Sequence, residues 1–214
     1  VLAIANFGGM IPCYQMDLSG RREFTAMRLL DAERERSDGL LLNILPQAIV
    51  EQLKTSSSGG RIAQALDQVS VVFVDAVGST EQAARSSPEE FADALDALFR
   101  RFDEIADRHG LEKIKTIGDA YMAVAGAPVP VADHAEAAVA MALDALNEAG
   151  EVRWPSGDPI EVRGGVATGP AVAGVIGHRK FAYDLWGDTV NLASRLEANA
   201  GPGRFLVSES TASE

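Results

Sequence analysis

Cysteine is nearly absent: Cys13 is the only one in 214 residues, which excludes a disulfide framework and a cysteine-rich zinc site. The simplest compartment for such a chain is the reducing cytoplasm. Histidine is scarce too, and His109, His134 and His178 are too scattered to make a site. Positive charge is in deficit. Nineteen Lys and Arg against 31 Asp and Glu give a formal net charge of -12, and such a surface repels nucleic acids and acidic membranes on average. A polyanionic ligand must then meet a local exception, through metal ions. No G-x-G-x-x-G follows a first strand and no G-x-x-x-x-G-K-[ST] loop occurs, so neither a Rossmann nor a P-loop site is available.

What is present divides into an N-terminal stretch and a domain. Residues 1–14 are mostly apolar and precede Arg21 and Arg22. The run is too short to span a bilayer and lacks the basic leader and cleavage site of a signal peptide. Residues 1–20 therefore read either as the end of a transmembrane helix, with the two arginines just inside the membrane, or as an apolar segment packed on the domain or a partner. From 21 to 54, Phe24, Met27, Leu30, Leu41, Ile44, Ala48 and Leu53 recur by threes and fours. That is the pattern of a long amphipathic helix, a dimerisation and transducer segment that packs against its copy. Gly39 and Pro46 mark bends or breaks in it. Residues 55–66, opening Thr55-Ser56-Ser57-Ser58-Gly59-Gly60, read as a flexible linker. The compact domain occupies 67–214.

Within it, Val69-Ser70-Val71-Val72-Phe73-Val74 is a β-branched run suited to a buried strand over 68–75. Ser87, Pro88 and Glu90 start a helix that carries Phe91, Leu95, Leu98, Phe102 and Ile105 on one stripe and stops at Gly110. Two strands, 111–116 and 120–125, are joined tightly through Ile117-Gly118-Asp119. A second helix over 131–149 follows. Then come a loop over 154–159, a hairpin of 160–168 with 171–176 turned at Gly169-Pro170, a helix from near Asp188 and a strand over 204–207. This order predicts an α+β, ferredoxin-like sandwich, a mainly antiparallel sheet with helices on one face.

Asp75 and Asp119 each lie at the end of a core strand. Singly, such an aspartate is usually a turn residue. Brought together at one end of a sheet, the two make a hard-oxygen site suited to magnesium or manganese. Gly78, Ser79 and Thr80 follow Asp75, and their backbone N–H groups and hydroxyls either cradle phosphate oxygens or form an ordinary polar turn. Lys115 is a solvated strand end or a donor to a base ring. In Tyr183-Asp184-Leu185-Trp186-Gly187-Asp188-Thr189-Val190-Asn191-Leu192-Ala193-Ser194-Arg195-Leu196-Glu197, Asn191 and Arg195 are four apart and face the same way on a helix. They suit a phosphate ester, while Asp184 is free to accept from an exocyclic amine. The plainer alternative is a helix capped by Asp188 with Arg195 on a solvated face.

Three motifs in this order resemble the class III nucleotidyl cyclases, specifically the adenylyl cyclase branch. Phe73-Val74-Asp75-Ala76-Val77-Gly78-Ser79-Thr80 is similar to the family's F-x-D-I-x-G-F-T element. Lys115-Thr116-Ile117-Gly118-Asp119-Ala120-Tyr121 is similar to K-x-x-G-D-x-[YF], and residues 184–195 to D-x-W-G-x-x-V-N-x-A-x-R. The resemblance runs from about Val69 to Val207, with 43–54 similar to the family's lead-in helix. It implies conversion of ATP to cyclic AMP with two divalent cations, Mg2+ or Mn2+, held by Asp75, Asp119 and the Ala76 backbone. It further implies that Lys115 and Asp184 select adenine, where guanylyl cyclases typically carry Glu and Cys. Asn191 orients the ribose, Arg195 stabilises charge on the α-phosphate and Arg163 contacts the terminal phosphates. The active site is expected between the catalytic domains of a head-to-tail homodimer. Ala76 and Ser79 depart from the family's commoner Ile and Phe. The family's usual later helix, strands and phosphate-binding lysine are not seen before Glu214, so the domain is expected to be truncated at its C-terminus.

Overall fold

The computed structural model of the chain describes residues 27–31, 33–34, 36, 39, 41–42, 44–55, 62–177 and 181–214. It divides into two units, 1–45 and 46–214. In the first, residues 27–31 are helical, and Met27, Leu29 and Leu30 are exposed. Residues 1–20 lie outside the described residues. Among the described residues no helix is long and apolar enough to cross a membrane.

Numbered within the second unit, the elements run α1 (Gln47–Thr55), β1 (Ala63–Ala76), α2 (Ser79–Arg85), α3 (Pro88–His109), β2 (Glu112–Ile117), β3 (Ala120–Ala125), α4 (His134–Glu148), β4 (Val162–Ile176), β5 (Ala182–Trp186), α5 (Asp188–Asn199), β6 (Phe205–Val207) and α6 (Glu209–Ser213). Local chemistry sets the limits of α3. Ser87 Oγ accepts from Glu90 N at 3.2 Å while Glu90 Oε2 accepts from Ser87 N at 3.2 Å, a capping box that contributes about 1 kcal/mol. At the other end Gly110, at φ 70, turns the chain out of the helix.

The sheet has the order β2-β3-β1-β4-β5, and all these neighbours are antiparallel; β6 joins β4 in parallel. Residues alternate between its faces. Val72 and Val74 point to the side where Leu98, Phe102 and Ile105 of α3 meet Ala138, Met141 and Ala145 of α4. Burying each large apolar side chain there contributes roughly 1.5–3 kcal/mol. The mixed, mainly antiparallel α+β sandwich predicted from the sequence is thus present.

Three details differ from the sequence expectation. Residues 160–176 do not form a hairpin: β4 passes straight through Gly169-Pro170 and pairs with β1 along its length. The register breaks between Leu66 and Val69, opposite Pro170. The proline, which has no N–H to give, therefore falls where a bulge already interrupts the ladder. Second, β1 starts at Ala63, paired with Gly174, inside the stretch read as linker. Third, the helices are not all on one face. A Cβ on Gly165 would lie 2.3 Å from Ala193 O and 2.4 Å from Glu197 N. Gly165 is the cross-strand partner of Phe73, and Phe73 is on the face opposite Val72. The absent side chain at 165 is what lets α5 settle directly on the second face.

Candidate active site

Two ladders fix what surrounds Asp75 at the end of β1. On one side Asp75 pairs with Ala120, so the turn Gly118-Asp119, with Gly118 at φ 64, hangs beside the strand end. On the other side Asp75 pairs with Arg163. Arg163 Nε and Nη2 donate to Asp75 Oδ2 at 3.0 and 2.8 Å, and the buried Ser79 hydroxyl donates to Asp119 Oδ2. Ala76, the expected backbone ligand, is buried and pairs with Val162. Gly78, at φ 77, starts α2, leaving itself and Thr80 exposed on either side of Ser79.

Glu197 of α5 completes this group, and sequence reasoning gave it no role. Its Oε1 lies 3.1 Å from Arg163 Nε. The single proton on that nitrogen is directed at Asp75, which leaves Glu197 Oε1 buried and without a hydrogen bond. The available signal was spacing: Thr189, Ala193 and Glu197 recur every fourth residue on the helix's buried face, and a carboxylate there requires a cation.

The electrostatics reflect crowding of like charge. Burial first, then the neighbouring Asp119, holds the Asp75 carboxyl above its ordinary range, with Arg163 pulling the other way. Glu197 is also raised, by burial and then by Asp75, again opposed by Arg163. Three carboxylates against one guanidinium leave a partly buried excess of negative charge, and such oxygens fit a hard divalent cation. No set of three or more His, Cys, Asp or Glu residues forms a closed metal cage among the described residues. Two carboxylates suffice for magnesium, which usually completes its shell with water and substrate phosphates.

The second group depends on a bulge. In the β2–β3 ladder Lys113 pairs with Ala123 but Lys115 with Met122, so Ile114 is an extra residue. The insertion turns Lys115 to the opposite face from Lys113. Lys113 reaches Asp103 on α3 at 2.7 Å. Lys115, on the face of Met122 and Phe73, donates from Nζ to Asp184 Oδ2 at 2.5 Å. Asp184 Oδ1 accepts from its neighbour Leu185 N at 2.9 Å. β2 and β5 are at opposite ends of the sheet order, yet this ion pair joins them.

The third group lies on the outer face of α5. The helix starts at Asp188 after Gly187, whose φ of 139 few other residues adopt; Asp188 is thus its first residue rather than its cap. Thr189 Oγ1 donates to Pro170 O at 2.7 Å and anchors the first turn. Asn191 and Arg195 are exposed, and neither side chain has a partner among the described residues. Leu192 is exposed beside them on the same helix, and further exposed apolar side chains lie along β4 and β5: the cross-strand pair Val172 and Trp186, with Ile176 at the end of β4 and Phe181 just before β5. The structure therefore joins Asp75, Asp119, Ser79 and Arg163 in one group and Lys115 and Asp184 in another. It leaves Asn191 and Arg195 facing outward.

A family model described as the adenylate and guanylate cyclase catalytic domain matches residues 62–214. An adenylate cyclase of Mycobacterium tuberculosis is 47% identical over 182 residues, covering 85% of this chain and 41% of that protein. A membrane guanylyl cyclase of Dictyostelium discoideum is 36% identical over 203 residues, covering 94% of this chain and 14% of its own length. The chain thus spans about two fifths or less of these relatives. Among solved structures, the catalytic core of a rhodopsin-guanylyl cyclase with converted specificity, in complex with ATPαS, superposes with a TM-score of 0.68 at 40% identity, over 71% of this chain and 82% of that one. A family model that matches residues 62–214 and a relative 47% identical over 85% of the chain make this chain a member of the adenylate and guanylate cyclase catalytic-domain family.

Proposed function

We propose that the chain converts ATP to 3′,5′-cyclic AMP and pyrophosphate at sites shared between two copies. The observation that supports this reading most is the Lys115–Asp184 pair. A donor and an acceptor side by side can meet the ring nitrogen and exocyclic amine on adenine's edge; guanine presents its acceptor and donor in the opposite order, so selection rests on the orientation in which the base is held. The base enters by replacing this ion pair, with Lys115 donating to the ring and Asp184 accepting from the amine.

Asp75 and Asp119, with the Ala76 backbone, hold the two divalent cations, Mg2+ or Mn2+. When bound, these lower the pKa of the ribose 3′-hydroxyl and neutralise charge on the triphosphate. Arg163, released from Asp75, contacts the terminal phosphates, and the backbone and hydroxyls of Gly78, Ser79 and Thr80 line their approach. Asn191 orients the ribose and Arg195 meets the charge that develops at the α-phosphate.

Both of these last residues face away from the buried side of α5, where Glu197 meets Arg163, so they serve the metal group of a second copy. Leu192 beside them and the exposed apolar side chains along β4 and β5 supply a surface for that head-to-tail homodimer. The segment 21–54, whose sequence has the helical pattern, adds to dimerisation, and residues 1–20 tether the catalytic domain to the cytoplasmic side of a membrane. Fractionation of cells expressing the chain with and without residues 1–20 tests the tether; equal partition into the soluble fraction removes it.

A guanylyl cyclase is the second reading, favoured by the guanylyl cyclases among the relatives. Incubation with Mn2+ and either ATP or GTP separates the two. The proposal expects cyclic AMP as the dominant product. Faster cyclic GMP formation supports the second reading, and nucleotide binding without turnover indicates a regulatory module.

A further inference from the structure

Glu197 poses a physical problem. Its carboxylate is buried on α5, close to two aspartates that repel it, and one oxygen has no hydrogen bond. Anchoring the helix does not require it. Thr189 already ties the first turn to Pro170, and the missing side chain at Gly165 lets the backbone pack directly on β4. As a stabiliser it is a poor choice, since the desolvation of a buried ion pair offsets most of its attraction. What it touches is Arg163, the guanidinium that also binds Asp75.

Arg163 cannot keep both of its contacts once cations arrive at Asp75. Like charges then repel the guanidinium from that aspartate, and a long side chain without a partner loses its fixed position. Glu197 Oε1 is 3.1 Å from the same Nε, and this free oxygen can take the hydrogen bond that Asp75 gives up. We propose that Glu197 is a positioning residue for Arg163, the partner that retains the guanidinium beside the metal group when Asp75 turns to the cations. This rests on the reading of Arg163 as a contact for the terminal phosphates. Because Glu197 shares α5 with Asn191 and Arg195, one helix would then position phosphate contacts for its own metal group on its buried face and for the other copy's on its exposed face.

The test is binding rather than turnover. Calorimetry of the full chain with Mn2+ compares 3′-deoxy-ATP, which cannot cyclise, with 3′-deoxy-AMP, which lacks the terminal phosphates. Glu197→Gln is expected to weaken the triphosphate about tenfold and the monophosphate less than about twofold. Arg163→Ala should show the same pattern, the double variant should lose no more than Arg163→Ala alone, and Glu197→Asp, which keeps the charge, should recover part of the loss. Thermal unfolding of each variant identifies folded material, and Glu197→Asp serves if the glutamine variant does not fold. Equal weakening of both nucleotides, or losses that add fully in the double variant, would overturn the proposal. If Arg163→Ala weakens the triphosphate and Glu197→Gln does not, this inference alone fails. If Arg163→Ala has no effect, the terminal-phosphate role of Arg163 fails with it.

Discussion

The two faces of α5 are satisfied in different ways. On the buried face Thr189 bonds to Pro170, Ala193 lies over Gly165 and Glu197 meets Arg163; every fourth residue has a counterpart on β4. On the outer face Asn191, Leu192 and Arg195 are exposed, and the two polar side chains have no partner among the described residues. A buried face satisfied within its own chain positions the helix. An outer face that presents an amide, an apolar side chain and a guanidinium fits a ligand and a second copy instead. The contrast implies that substitutions on the outer face remove activity and spare stability, while those at Thr189 and at the Ala193–Gly165 contact on the inner face do the reverse; Glu197 is the exception, because what it touches is Arg163.

The largest effect is expected where the comparison meets the metal group. Asp75→Asn should lower cyclic AMP formation about 10³-fold, since the proposal gives this carboxylate the cations to hold. Stability should move the other way. Asp75 is held above its ordinary range in the folded chain, so its ionisation costs stability; that cost is absent below the ordinary carboxylate pKa and fully felt once pH has risen past the folded value. The melting temperature of the metal-free Asp75→Asn chain at pH 7 should therefore exceed that of the parent, and the gain should vanish as the pH falls below the carboxylate range. Calorimetric scans across pH check both signs.

Next is the outer face itself. Arg195→Ala should reduce kcat about 10²- to 10³-fold, the range for losing one group that stabilises developing charge. Its melting temperature should stay within about 1 °C, as expected for an exposed residue without contacts. A fall in stability of the same order as a core defect would mean that the outer face is structural.

Purine selection comes third. Lys115→Glu together with Asp184→Cys replaces the donor and acceptor by the pair that guanylyl cyclases typically carry, and should shift the ATP-to-GTP ratio of kcat/KM by at least about tenfold toward GTP. The single change Lys115→Glu, which places two carboxylates where the ion pair now stands, should be poor with both nucleotides.

On the inner face, Gly165→Ala forces a methyl group to within 2.3 Å of Ala193 O and should cost about 1–3 kcal/mol as an overpacked contact. Thr189→Ala removes one hydrogen bond to Pro170 and should cost about 1 kcal/mol. Denaturant midpoints measure both. Neither should approach the activity loss of Arg195→Ala unless α5 moves.

Much of this was legible in the sequence where local chemistry dominates. The capping box at Ser87, the stripe on α3, the β2–β3 turn at Gly118-Asp119 and the apolar core of β1 depend on neighbours in sequence. The three motifs supplied Asp75, Ser79, Asp119, Lys115 and Asp184, the residues that the fold gathers into two groups; Arg163 lies outside the motifs and came from the wider resemblance, and Glu197 came from neither. What escaped depends on distant pairing. Gly169-Pro170 has the composition of a turn, but β1 on one edge and β5 and β6 on the other hold β4 straight through it. The N-terminal residues of β1 resemble linker until β4 pairs with them. Glu197 is an ordinary charged helix residue until the fold brings Arg163 to it. Lys115 was found by its motif, yet only the extra residue Ile114 explains how it reaches Asp184.

The central claim is that the outer face of α5 serves the metal group of a second copy. Asp75→Ala and Arg195→Ala chains, each inactive alone, can be mixed after confirming by mass in solution that both dimerise. Random exchange makes half of the dimers mixed, each with one of its two sites intact, so the account predicts recovery of about a quarter of wild-type cyclic AMP formation. Activity no greater than that of the separate variants, from chains that demonstrably exchange, would contradict it.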